Sequence, residues 1–99
     1  MQTIKNYVHA IAEEIEDAKE YAEKYVEYKA KNDMHTANRY HEMSNDELKH
    51  AMWIHEMAAS VIAEISRIYV APAYMQEIWD KSHKEFVEKT AWVKQMLSM

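Results

Sequence analysis

Apolar residues in the first third of the chain recur at steps of four and three. They are Ile4, Val8, Ile11, Ile15, Ala18, Ala22 and Tyr25. This spacing is typical of one face of an amphipathic helix that packs against other helices. The pattern therefore predicts a first helix over residues 3–31. The polar segment "KAKND" follows, and its Asn-Asp pair is a suitable break and N-cap for a second helix.

The same spacing continues in the middle of the chain and predicts a second helix over residues 33–70. Its core-facing positions are Ala37, Tyr40, Ser44, Glu47, Ala51, Ile54, Ala58, Val61, Ile65 and Ile68. Pro72 sets the end of this helix, because the residue before a proline disfavours the helical conformation. Proline suits a first helical turn, so we expect a third helix over residues 72–98. Its apolar face holds Met75, Ile78, Trp79, Phe86, Val87, Val93 and Leu97.

The composition agrees with an all-α fold. The 99 residues include no glycine and one proline, whereas average usage would supply about seven glycines. Glycine is the usual residue of tight turns between strands, so its absence argues against a sheet. We expect a single helical domain over residues 1–99, because a chain of this length forms one core.

Charge and residue types exclude several functions. The net charge is −5, whereas nucleic-acid binding calls for a basic surface. The absence of cysteine excludes disulfides, iron–sulfur clusters and thiol catalysis. The N-terminal segment has no uninterrupted apolar core, and no apolar run reaches 18 residues, so neither a signal peptide nor a membrane anchor is expected. These features predict a cytoplasmic protein.

A carboxylate stands among the core-facing positions of the second helix. The short link near residues 31–33 makes the first two helices antiparallel, so positions equally distant from residue 32 face each other. Glu14 lies 18 residues before residue 32, and Glu47 and His50 lie 15 and 18 residues after it. Core-facing positions of both helices hold no lysine or arginine. A buried carboxylate must be paired, protonated or bound to a metal, so the pattern predicts a metal site.

Glutamate together with Glu-x-x-His is a known ligand set for two metal ions inside a four-helix bundle. A complete site needs this set twice, and the chain supplies one copy: Glu14 with Glu47 and His50. Asp80 and His83 form a second, looser match on the third helix. We assign that match to the surface, because no further helix remains in the chain to complete a site with it.

Two segments carry a resemblance to a known family. "EEIEDAKEY", Glu13 to Tyr21, and "DELKHA", Asp46 to Ala51, resemble the ferritin-like superfamily, and within it the encapsulated ferritins most closely. The resemblance covers residues 8–60, with a spacing between the two segments that differs by a few residues from the family's. It implies that a homodimer assembles the four-helix bundle that larger ferritins build from one chain.

The resemblance further implies a di-iron ferroxidase that oxidises iron(II), in iron storage or detoxification. Glu14, Glu47 and His50 of two chains would hold two iron ions, and manganese or zinc could replace iron. Glu47 is the expected bridging ligand, and Tyr21, seven residues after Glu14, is the expected hydrogen-bonding group beside the site.

Other polar residues are expected near the site. Asp46, four residues before His50, is a candidate to orient the imidazole. Glu13 and Asp17 belong to an acidic helix face that could draw iron toward the site, although such a face is also typical of a solvated helix. His41 is a candidate for an entry route.

The expected partners are a second copy of the chain and, from the resemblance, a ring of such dimers. Family members destined for a protein nanocompartment carry a C-terminal docking tail, which "KQMLSM" does not resemble, so a location inside an encapsulin-like shell stays open. Two alternatives remain open: a metal-free dimeric interaction module, and a rubrerythrin-like di-iron peroxidase. The missing cysteines disfavour the peroxidase, because such enzymes often carry a cysteine-bound iron for electron transfer.

Overall fold

The computed structural model describes residues 2–99 and consists of three helices. These are α1 (Gln2–Ala30), α2 (Met34–Ile68) and α3 (Ala73–Leu97), and the described residues contain no strand. The prediction of an all-α chain with three helices is confirmed, and the predicted bounds differ from these by one or two residues. Met1, which the predicted domain includes, lies outside the described residues. No helix of residues 2–99 combines the length and the apolar character that a membrane crossing requires.

Local chemistry explains where the helices begin and end. Asn32 adopts a left-handed conformation with φ of 60°, which asparagine tolerates better than most residues. The Asp33 carboxylate accepts a hydrogen bond from the backbone N–H of Thr36 at 3.1 Å and so caps α2. At the other end Tyr69 is extended, with φ of −129° and ψ of 157°. The second helix therefore ends two residues before the predicted bound.

The three helices form an elongated bundle. The first two make an antiparallel hairpin, and α1 also packs against α3. The C-terminal end of α3 returns to the hairpin turn, where a ring nitrogen of His41 lies 3.0 Å from the carbonyl oxygen of Leu97. The bundle measures 55 × 18 × 16 Å, with a radius of gyration of 16.0 Å, whereas a compact globule of this length would have about 13 Å. The molecule is a rod in which most residues lie near the surface.

Small residues bring α1 and α2 close together. Ala18, Ala22, Ala37 and Ala51 are all fully buried. Within this contact the Ser44 hydroxyl donates a hydrogen bond to the Ala18 carbonyl oxygen at 2.7 Å, and Ser44 itself is fully buried. A hydroxyl paired in this way can lie in an apolar core without a desolvation penalty. Glu14 and Glu47 therefore lie on two helices whose contact is formed by small buried residues.

The structure corrects part of the predicted core. Leu48 and Ile62 lie outside the predicted face of α2 but are buried, because Leu48 packs with Val93 in one apolar cluster and Ile62 with Met75 in another. Both clusters are formed with α3, whose position the spacing did not reveal. In the opposite sense, Ile68 and Val87 were expected on apolar faces but are 55% and 52% exposed.

Candidate metal centre

Glu14 of α1 and Glu47 and His50 of α2 meet on one side of the hairpin. One ligand atom from each of the three lies within 4.8 Å of the other two. The Nδ1 atom of His50 is 3.7 Å from Oε2 of Glu14 and 3.6 Å from Oε1 of Glu47. Among residues 2–99 this is the one group of three or more histidine and carboxylate side chains with such an arrangement.

Helical spacing and close packing explain this convergence. Glu47 and His50 are three residues apart, which places them on the same side of α2. Glu47 stands between the fully buried Ser44 and Ala51, which press α2 onto α1. The side chains of Glu47 and Glu14 are consequently only 20% and 29% exposed, while that of His50 is 46% exposed. The two carboxylates thus lie deeper in the hairpin than the imidazole, which lies at the solvent-exposed edge of the group.

The two carboxyl groups cannot both ionise freely. The pKa of Glu47 rises from its ordinary 4.5 to about 7, first through a hydrogen bond with Glu14, then through burial and the charge of Glu14. Asp17 adds a smaller effect in the same direction, while His50 acts in the opposite one. A carboxyl that keeps its proton can donate it to a neighbouring carboxylate, and the direction of this pKa shift is the one expected for two carboxyl groups that share one proton.

The donor set and its dimensions fit a divalent metal ion. Carboxylate oxygen and imidazole nitrogen suit iron(II), manganese and zinc. Two donors bound to one ion at about 2.0–2.2 Å can lie at most about 4.4 Å apart. Both separations from His50 lie below this limit, at 3.6 and 3.7 Å. In residues 2–99 no lysine or arginine forms an ion pair with Glu14 or Glu47, and the ion-pair partner of both carboxylates is His50.

An open apolar surface borders the three side chains. The Trp53 ring lies 5.8 Å from the His50 ring, between ring centroids, and is 52% exposed. Met57 follows on the same side of α2 and is 49% exposed. The three-residue spacing from His50 to Trp53 places the two side chains on the same side of α2 and is the sequence signal for this contact. The candidate centre thus opens onto a surface that α3 leaves uncovered.

The predicted role of Tyr21 depends on its surroundings, which are aromatic. Its ring stacks on Tyr40 with 6.1 Å between centroids, and Tyr40 stacks in turn on Tyr28 at 5.6 Å. The three rings lie between the candidate centre and the hairpin turn. Tyr21 is half-buried beside the hairpin contact, and the proposed hydrogen bond toward the metal ligands stays a prediction.

Of the remaining predicted site residues, some lie near the candidate metal centre and others lie away from it. Asp17 is close enough for its charge to raise the pKa of Glu47. Glu13 instead pairs with His9 at 2.8 Å on the exposed side of α1. Asp46 is exposed, and the ion-pair contacts of His50 go to the two glutamates. His41 packs edge-on against Tyr25 of α1 at 4.9 Å and contacts Leu97, so it lies between α1 and the end of α3.

Comparison with known proteins gives no relative from which a function could be transferred. No protein-family model, no curated protein and no solved structure matches this chain. The resemblance to ferritin-like proteins therefore stays a prediction from two short segments. The feature of the molecule that bears on function is the convergence of Glu14, Glu47 and His50.

Proposed function

We propose that the protein is a di-iron ferroxidase whose site forms between two copies of the chain, and that it serves iron storage or detoxification. The observation that carries the proposal is the meeting of two poorly exposed carboxylates and one imidazole, without a lysine or arginine to neutralise them. A proton held by the pair still leaves one negative charge in a poorly exposed position, and a divalent cation would remove the cost of keeping that charge there.

One chain supplies three protein ligands, which is half of what a two-metal site in a four-helix bundle needs. A second copy packed on the same surface would bring Glu14, Glu47 and His50 again and complete the set. The exposed Trp53 and Met57 beside the centre support this arrangement, because a partner would cover them. The pairing of two hairpins would also supply the four helices of the bundle.

Each ligand would have a distinct task. Glu47 is the most enclosed of the three, with 20% of its side chain exposed, and is best placed to bridge two ions. Glu14 of α1 would be a terminal ligand of one ion, and the imidazole of His50 would be a nitrogen ligand on the more exposed side of the group. Iron(II) is the substrate: each of two ions gives up one electron, and oxygen or peroxide accepts the pair. Two-metal sites of this kind hold their ions about 3.5–4 Å apart.

The decisive experiment removes two ligands at once. We expect the Glu47→Ala, His50→Ala double variant to lose bound iron and the oxygen consumption that iron(II) triggers in the parent. A matched control is the Glu42→Ala, His35→Ala double variant, because both residues are exposed positions of α2. Iron content per chain, oxygen uptake and circular dichroism should be measured for all three proteins. Equal iron binding and oxygen uptake in parent and ligand variant would refute the proposal.

The metal-free interaction module is the second candidate, favoured by the exposed Trp53 and Met57. The two functions differ in how association responds to chelators. A ferroxidase built between two chains should become more stable and associate more strongly when iron is added. An interaction module should show the same sedimentation behaviour and the same melting temperature with iron and with a chelator.

A further inference from the structure

A second pair of metal-binding side chains lies away from the candidate centre, between α2 and α3. The Nε2 atom of His55 is 2.9 Å from the Nδ1 atom of His83, and the two residues are 28 positions apart in the chain. His55 follows His50 by five residues, which turns its side chain well away from the side of the candidate centre. The pair is therefore a separate feature of the molecule.

Aromatic contacts fix the ring of His55. Its centroid lies 4.4 Å from that of Phe86, in a stacked arrangement, and 4.8 Å from that of Trp79. The pKa of His55 is lowered, first by burial and then by His83, with an opposing effect from Glu56. Burial therefore favours neutral imidazole, the form that binds metal ions.

We infer that His55 and His83 form a second metal site, which takes one zinc ion or another transition ion that prefers imidazole and which joins α3 to α2. Two nitrogens bound to one tetrahedral zinc at about 2.0–2.1 Å lie about 3.3–3.4 Å apart. The ring nitrogens, 2.9 Å apart, need to separate by only about 0.4–0.5 Å, which a small rotation of the exposed His83 side chain allows. Both histidines are reachable from solvent, so water completes the coordination.

The location of the pair gives the site a structural consequence. The third helix packs mainly on α1 and much less on α2, and the connection between α2 and α3 includes the exposed Tyr69 and Val70. An ion held by one ligand from each helix would tie α3 directly to α2. Asp80, three residues before His83, accepts a hydrogen bond from Gln76 at 2.8 Å and is engaged within α3.

The test isolates this site from the candidate centre. The Glu14→Gln, Glu47→Gln, His50→Ala variant lacks the ligands of that centre, and zinc should be titrated into it by calorimetry. We expect saturable binding of one ion per chain and a rise in the melting temperature. Adding His55→Ala or His83→Ala should abolish both effects, whereas adding His35→Ala should preserve them, because His35 is an exposed histidine near the hairpin turn.

Two features make the outcome decisive. The variants His55→Gln and His83→Gln keep hydrogen-bonding capacity while removing the imidazole, so they separate metal binding from loss of folding, which circular dichroism monitors. The inference is overturned if zinc binding does not reach saturation at one ion per chain. It is also overturned if all the histidine variants bind zinc as well as the triple variant from which they are made, since the two rings then share only a hydrogen bond. Because the background lacks Glu14, Glu47 and His50, neither result depends on the ferroxidase proposal.

Discussion

Replacement of Glu47 by glutamine tests the central electrostatic feature of the protein. Glutamine has the shape of a protonated glutamate but cannot ionise. In the metal-free parent, the folded chain keeps the proton of Glu47 up to a pKa of about 7, while an ordinary glutamate loses it near 4.5. The free energy of unfolding of the parent therefore falls as pH rises through this interval, because the unfolded chain releases a proton that the folded chain retains. The Glu47→Gln variant should not show this decrease, because it has no such proton to release.

The size of the effect follows from the two pKa values. The difference between about 7 and the ordinary 4.5 corresponds to at most about 3.4 kcal/mol in the free energy of unfolding. Solvent reaches part of the pair, since 20% of the Glu47 side chain is exposed, which reduces the expected value to about 1–3 kcal/mol. Most of this difference should develop between about pH 5 and pH 7, and little should be added at higher pH.

Urea unfolding followed by circular dichroism, in the presence of a chelator, would measure the effect. We expect Glu47→Gln to be more stable than the parent at pH 8 by the amount given above, and to approach the parent at pH 5. The matched control is Glu88→Gln, at an exposed glutamate of α3, which should follow the parent at both pH values. If Glu47→Gln and the parent change in parallel with pH, the two carboxylates do not share a proton and the described contact is wrong.

Four further predictions concern the centre and the fold. Metal affinity, measured by titration calorimetry, should fall about tenfold for each pH unit below about 7, because binding displaces the proton held by Glu47. Ser44→Ala should lower the free energy of unfolding by about 1 kcal/mol through loss of the hydrogen bond to Ala18. Ala18→Leu should lower it by about 1–3 kcal/mol, because the larger side chain overpacks the contact between α1 and α2. Urea unfolding measures both. Asp33→Ala should cost about 1 kcal/mol, seen as a drop of about 4–8 °C in the melting temperature, because α2 loses its cap.

The features fixed by local spacing were predictable from the sequence. The helical hairpin follows from the steps of four and three and from the Asn32–Asp33 turn. The short turn also determines which positions of α1 and α2 lie side by side along the hairpin. The proximity of Glu14 and Glu47 could therefore be predicted from the sequence. These inferences need only helical geometry and one short connection.

The features that depend on α3 were not predictable in the same way. The connection from Tyr69 to Pro72 does not set how α3 is rotated, so the burial of Leu48 could not be derived. The same gap left His83 without an expected partner: it is exposed, as assigned, but it also contacts His55 of α2. Periodicity identifies a helix face that is apolar, but it does not identify which neighbour covers each part of that face.

The short hairpin turn also has a consequence for the order of folding. Contacts between α1 and α2 span more of the chain the farther they lie from the turn: Tyr28 and Tyr40 are 12 positions apart, and Glu14 and Glu47 are 33 apart. Closing the longer loop from the unfolded chain costs about 0.9 kcal/mol more in entropy. We therefore expect the hairpin to close from the aromatic end, so that repulsion between the acidic groups arises only after the helices are aligned.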